Sequence, residues 1–102
     1  MDLATLTQFN PKMFKKLLGI YVKRRREELN ITFEQLADPL DLTTKDVKLI
    51  ESGQGKLNQN ILNLLSYYLQ FESSELENIC RVTQIQSILE VYEVLYEHYP
   101  KQ

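Results

Sequence analysis

The sequence predicts an all-α protein, on three observations. Gly and Pro occur only three times each in 102 residues, β-branched runs are missing, and apolar residues recur at helical rather than alternating spacing. The pattern resolves into five helices followed by an additional C-terminal helix. The length fits one small domain with an appended element. The 43% hydrophobic content supports a real core, although a domain of this size is only marginally stable alone.

Each element has its own signal. Residues 1–10 form a lead in which Leu3, Leu6 and Phe9 either dock on the core or fray. Asn10-Pro11 starts a helix, because Asn caps free N–H groups and Pro suits the first helical position. Phe14, Leu17, Leu18, Tyr21 and Val22 carry that helix to about Leu29, and Asn30 suits a left-handed end. Thr32 and Gln35 make a capping box for a brief second helix ending near Ala37 or Asp38, with Pro39 shortening it. Thr43 and Asp46 repeat the capping pattern for a third helix to about Glu51. Ser52-Gly53-Gln54-Gly55 then forms a loop. Asn58 caps a fourth helix through Tyr68 or Gln70, with Ile61, Leu62, Leu64, Leu65 and Leu69 apolar. Ser73 or Ser74 opens a short fifth helix carrying Leu76, Ile79 and Cys80.

A separate last helix is expected from about Thr83 to Tyr99, closed by Pro100. Its residues Ile85, Ile88, Tyr92, Leu95 and Tyr99 are spaced 3, 4, 3 and 4 apart, a two-heptad seam. Leu89, Val91, Val94 and Tyr96 widen the seam beyond one stripe. So much apolar surface on a terminal helix needs a partner, so residues 81–102 read as a dimerisation helix. Its interface would comprise Ile85, Ile88, Leu89, Tyr92, Leu95, Tyr96 and Tyr99. Residues 11–80 then form the main domain.

The stretch from Thr32 to Gly53 carries the functional signal. Leu36 and Ala37 fit a close crossing of two helices, Leu42 anchors the turn, and Val47 and Ile50 share the inner face of the third helix. Its outer face holds Thr44, Lys45, Lys48 and Leu49, with Thr43 at the start. Polar side chains on the free face of such a helix suit the DNA major groove, where base edges carry a distinguishable donor and acceptor pattern.

Gly19, Val22, Arg26, Thr32, Glu34, Leu36, Ala37, Leu42, Thr43, Val47, Ile50, Glu51 and Gly53 together resemble the Cro/C1-type (XRE family) helix-turn-helix proteins. The likeness covers about residues 18–70 without an insertion. It implies a five-helix, lambda-repressor-like DNA-binding domain that dimerises on a pseudo-palindromic operator. By position, Thr44, Lys45 and Leu49 would face bases, and Lys48 would lie beside phosphates. Lys56 falls in a common phosphate-contact loop, and Gln35 and Thr43 belong to the capped helix ends that meet the backbone. Phe33 stands where the family usually has a Gln touching the backbone. Arg26 and Glu51 match a buried ion pair tying the first helix to the third. Two departures are an Asp at the turn position normally held by Gly, Asp41, and the preceding Pro39. Asp tolerates the left-handed conformation better than most residues.

Charge bears on the same reading. Net charge is −2, but residues 1–56 carry +2 and residues 57–102 carry −4. Screening limits the reach of distant charges to roughly 8 Å at physiological salt, so a basic first half can face DNA beside an acidic second half. The run Lys23-Arg24-Arg25-Arg26 has two readings, phosphate contact or complementing a helix C-terminus.

Other chemistry finds little support. One Cys and one His, Cys80 and His98, cannot build a zinc site, and no cofactor motif occurs. The Glu27, Glu28, Glu90, Glu93 and Glu97 carboxylates have no His or Ser beside them to make a catalytic set. The tyrosines at 67, 68, 92, 96 and 99 read as core or interface aromatics. With no signal peptide, no apolar run long enough for a bilayer and a lone cysteine, a cytoplasmic protein without membrane contact is expected. The expectation is a homodimeric transcriptional repressor or autoregulator bound to double-stranded DNA. The alternative is a protein-interaction module, such as an antitoxin or accessory factor, that uses the same fold on a protein partner.

Overall fold

Four helix starts are written in the sequence as side-chain caps, and all four form. The computed structural model describes residues 1–97, apart from the side chain of Tyr96, so the readings made for Tyr96, His98, Tyr99 and Pro100 lie outside the described residues. Six helices follow in order: α1 (Leu3–Leu6), α2 (Pro11–Glu28), α3 (Phe33–Leu40), α4 (Thr44–Glu51), α5 (Gln59–Tyr68) and α6 (Ser73–Glu97). Among the described residues there is no strand, and the fold is all-α. Asn10, Thr32, Thr43 and Asn58 each accept a bond from a backbone N–H in the first turn of the helix that follows. Both Thr caps complete reciprocal boxes, with Gln35 and Asp46. These bonds satisfy N–H groups that a helix start otherwise leaves open.

The helix ends share one device. Ile31 N bonds Arg26 O at 3.0 Å, Leu42 N bonds Ala37 O at 3.0 Å, Gln54 N bonds Leu49 O at 2.9 Å and Phe71 N bonds Ser66 O at 2.9 Å. Each is the six-to-one bond of a Schellman turn, reached through a positive φ at Asn30, Asp41, Gly53 and Gln70. The apolar residues Ile31, Leu42 and Phe71 then pack against the core. Left-handed Asn30 and Asp41 agree with the sequence; Gln70 has no such signal.

The core joins Phe14, Leu18 and Val22 of α2 to Leu36, Ala37 and Leu40 of α3 and Val47 and Ile50 of α4. Ile61, Leu62, Leu65 and Leu69 close it from α5 and its cap, with Leu76 from α6 and Leu6 from α1. The lead is therefore docked rather than frayed. Leu6 is 1% exposed, and Leu3 N donates to Gln59 Oε1 at 2.6 Å while Gln59 Nε2 donates to Met1 O at 2.9 Å. Phe9 stays exposed, although its carbonyl accepts from Ser87 Oγ at 3.0 Å.

Two boundaries differ from the sequence reading. α3 continues through Pro39 to Leu40. Proline here forfeits one backbone bond in the last turn, and the buried side chain of Leu40 holds that turn on the core. No break separates a fifth helix from the last: α6 runs unbroken across residues 80 and 81. Thr83, the expected start of that last helix, is fully buried, and its hydroxyl donates to Cys80 O at 2.6 Å. A threonine satisfied by the carbonyl three residues back is at home inside a helix.

Thr83 is also the last buried residue of α6. Beyond it the helix projects, and the molecule measures 59 Å along its long axis against 24 and 23 Å across. No helix among the described residues is long and apolar enough to cross a membrane.

Candidate nucleic-acid interface

Gly19 sets the position of α4. A Cβ there would lie 2.5 Å from Ile50 O and 2.6 Å from Glu51 O, so only glycine lets α2 pass this close to the end of α4. The close crossing brings Arg26 to Glu51. Arg26 Nε donates to Glu51 Oε2 at 2.7 Å and Nη2 donates to Oε1 at 3.2 Å, while Nη1 donates to Ile31 O at 3.1 Å. The two side chains are 11% and 7% exposed. The hydrogen bond to Glu51 holds the guanidinium above its ordinary pKa against the cost of burial. This fork-to-fork pair ties α2, α4 and the α2–α3 turn together at one point.

α3 and α4 meet through Leu36, Ala37 and Leu40 on one side and Val47 and Ile50 on the other. That packing turns Lys45 and Lys48 to solvent, whereas Thr44 and Leu49 are half-buried. At the start of α4, Thr43 Oγ accepts from Asp46 N at 3.1 Å and Asp46 Oδ2 accepts from Thr43 N at 3.0 Å. The backbone N–H of Thr43 and then its hydroxyl hold the Asp46 carboxyl below its ordinary pKa, with smaller help from Lys56 and Lys45. Lys56 contributes its charge from the loop after α4, ten residues beyond Asp46 in sequence. Gln35 is exposed, and its Oε1 accepts from Thr32 N at 2.9 Å. That bond leaves its Nε2 donors turned to no protein acceptor among the described residues.

Phe33 has a role its position in the sequence does not announce. The Arg26 guanidinium lies 4.0 Å from its ring centroid and the Lys48 ammonium 5.1 Å from it. Phe33 thus replaces hydrogen bonding with cation–π contact, linking the buried pair to the free face of α4. No property of residue 33 alone could reveal this, since its partners are seven residues before it and fifteen after.

The arginines of the run at 23–26 are engaged by the protein's own groups, and only Arg26 is buried. Arg24 lies 3.4 Å from Glu28 and 3.8 Å from Glu75, and Arg25 donates to Leu69 O at 3.1 Å and Glu28 at 2.7 Å. By contrast, none of the described lysines has an ion-pair partner within 4.0 Å among the described residues.

The expected interface residues Ile85, Ile88, Leu89, Tyr92 and Leu95 lie on a second surface, together with Val82, Val91 and Val94. Val82, Ile85, Ile88, Leu89, Val91, Tyr92, Val94 and Leu95 are each 50–63% exposed. At about 100° per residue, Ile85, Ile88, Tyr92 and Leu95 lie on the side of α6 away from Leu76 and Thr83, which face the body. They cannot fold back onto their own core. Among the described residues no three His, Cys, Asp or Glu side chains gather to hold a metal ion. No family model, no curated protein and no solved structure matches this chain.

Proposed function

We propose that the chain is a sequence-specific DNA-binding transcriptional regulator of the XRE helix-turn-helix type, acting without enzymatic activity in the cytoplasm. In this reading α4 enters the major groove, with Thr44, Lys45 and Leu49 toward base edges and Lys48 and Lys56 beside phosphates. Phe33, Gln35 and Thr43 complete the contact surface. The observation that carries the reading is the rigid α3–turn–α4 unit, closed by the Arg26–Glu51 pair, which offers unpaired Lys45 and Lys48 on its free side. Polar side chains on a fixed helix are what direct readout requires.

The test is selection of bound duplexes from random DNA, followed by titration of the variants. Lys45→Ala and Lys48→Ala should each weaken binding to the selected site. Lys48→Ala should also flatten the dependence of log K on log salt by about one unit, the value for one lost phosphate contact. Unchanged affinity and slope in both variants would reject the reading.

Self-association belongs to the same proposal. The apolar face of α6 opposes the body, and Glu90, Glu93 and Glu97 lie outside the 3–4 seam, so a second α6 would cover it without stranding a charge. A monomer by light scattering at micromolar concentration would end this part. The same apolar face, with Phe33 and half-buried Leu49, favours a second reading, a protein-interaction module of the antitoxin or accessory type. Retention on heparin with steep salt elution would count against that module.

A further inference from the structure

The division of labour between arginine and lysine carries one step more. The arginines at 24, 25 and 26 all bond the protein's own carboxylates or carbonyls, so, Arg81 on α6 apart, the cations left for an external anion are lysines. Between Asp2 and Glu27 there is no acidic residue, and Lys12, Lys15 and Lys16 fill the first turns of α2. This placement works against the helix. Cations oppose the positive end of the macrodipole, and Lys12 repels Lys15 and Lys16 from three and four residues away. Nothing inside the fold offsets the repulsion, since no carboxylate lies within 4.0 Å of these lysines among the described residues.

Their neighbour is the loop that follows α4. A Cβ on Gly53, whose φ is +81°, would sit 2.9 Å from Lys16 Cα. The stem of Lys15 lines a small crevice with Leu18, Ile50, Gly55 and Leu57. The loop is thus pressed onto the start of α2 and carries Lys56 between Gly55 and Leu57, two residues of that crevice. Lys15 and Lys16 therefore border the loop that bears Lys56, with Lys12 one turn back along α2.

We propose that Lys12, Lys15 and Lys16 form a second phosphate-binding segment, over which the DNA backbone continues after crossing the Gly53–Lys56 loop. The proposal rests on the DNA-binding reading of α4 and extends its contact to flanking phosphates, where no base is read. These lysines therefore add affinity without sequence preference.

The test compares wild type, Lys12→Gln/Lys15→Gln/Lys16→Gln, and a charge control, Arg24→Gln/Arg81→Gln. The probes are a duplex selected by the wild type and a mixed-sequence duplex of equal length, each titrated over a range of salt. The triple variant should flatten the salt slope by about two to three units, near 0.9 per phosphate, and weaken both duplexes by the same factor. The control should leave the slope within half of that change, and Lys→Arg at the same three positions should restore it. An unchanged slope in the triple variant, with Lys48→Ala still effective, overturns the proposal and leaves the α4 reading standing. If wild type binds neither duplex in a salt-sensitive way, both fall. Loss of self-association at unchanged slope assigns the lysines to the acidic half of a second copy and also overturns it. Should the triple variant fail to fold, the exposed pair Lys12→Gln/Lys16→Gln gives the same comparison.

Discussion

α4 and the outer half of α6 are both helical, yet they are held in opposite ways. α4 is only eight residues long, too short to persist alone in water. It exists because Val47 and Ile50 are buried, a capping box closes its start and Glu51 is clamped by Arg26. The outer half of α6 buries almost nothing. It continues a helix whose first turns, at Leu76 and Thr83, are anchored on the body, and adding residues to a formed helix costs far less than nucleating one. One helix is specified by its surroundings and carries polar chemistry; the other is propagated into solvent and carries apolar surface. Amphipathic pattern alone does not separate the two cases, because burial depends on what lies opposite.

That contrast can be broken most severely at the clamp. Glu51→Ala leaves the Arg26 charge buried without its partner and should cost about 3–5 kcal/mol, read as a large fall in the midpoint of thermal or urea unfolding. Gly19→Ala comes next. Its methyl would press on the carbonyls of Ile50 and Glu51, which are backbone and yield little, so a loss of roughly 1–3 kcal/mol is expected. A Gly19→Ala protein as stable as wild type would show that α4 can shift without penalty.

Acid should sharpen the comparison more gently. The Asp46 carboxyl lies below its ordinary value of 3.8, so its contribution is fully present above that value. It is lost as pH falls from 3.8 through the lower folded value. Asp46→Asn should therefore show a smaller acid-induced loss over that window than wild type, followed by circular dichroism during acid titration. Parallel acid curves would remove the carboxylate from the account of the cap. Smallest of all should be the effect of Ile88→Glu/Leu95→Glu on unfolding of dilute, monomeric protein. The same variant should abolish any concentration-dependent mass in light scattering. A lowered unfolding midpoint in the monomer would mean that the outer half of α6 packs on its own body after all.

Much of this was legible in the sequence because it is local. A cap needs a side chain and an N–H three residues on, so Asn10, Thr32, Thr43 and Asn58 announced their helices, and Asn30 and Asp41 announced two turns. The expected break before Thr83 does not occur, since nothing local between residues 80 and 83 tells a new helix from the continuation of one. Pro39 looked like an end because the hold of the core on Leu40 is tertiary. At the candidate interface, Lys45 and Lys48 could be placed on the free face of α4 from helical period. The aromatic platform of Phe33, the approach of Lys16 to Gly53 and the bonds of Arg24 to Glu75 and Arg25 to Leu69 all join residues distant in sequence, and no periodicity encodes them.

The unbroken course of α6 makes it a rigid shaft rather than a tether. Whatever grips Ile88 or Leu95 is coupled to the direction in which α4 points, because the helix is continuous from Ser73 to Glu97. Phase along the shaft is then a design variable. One residue inserted after Thr83 would turn the outer half by about 100° and advance it by about 1.5 Å, re-aiming its apolar face relative to α4. Four inserted residues would bring the face nearly back, one turn further out.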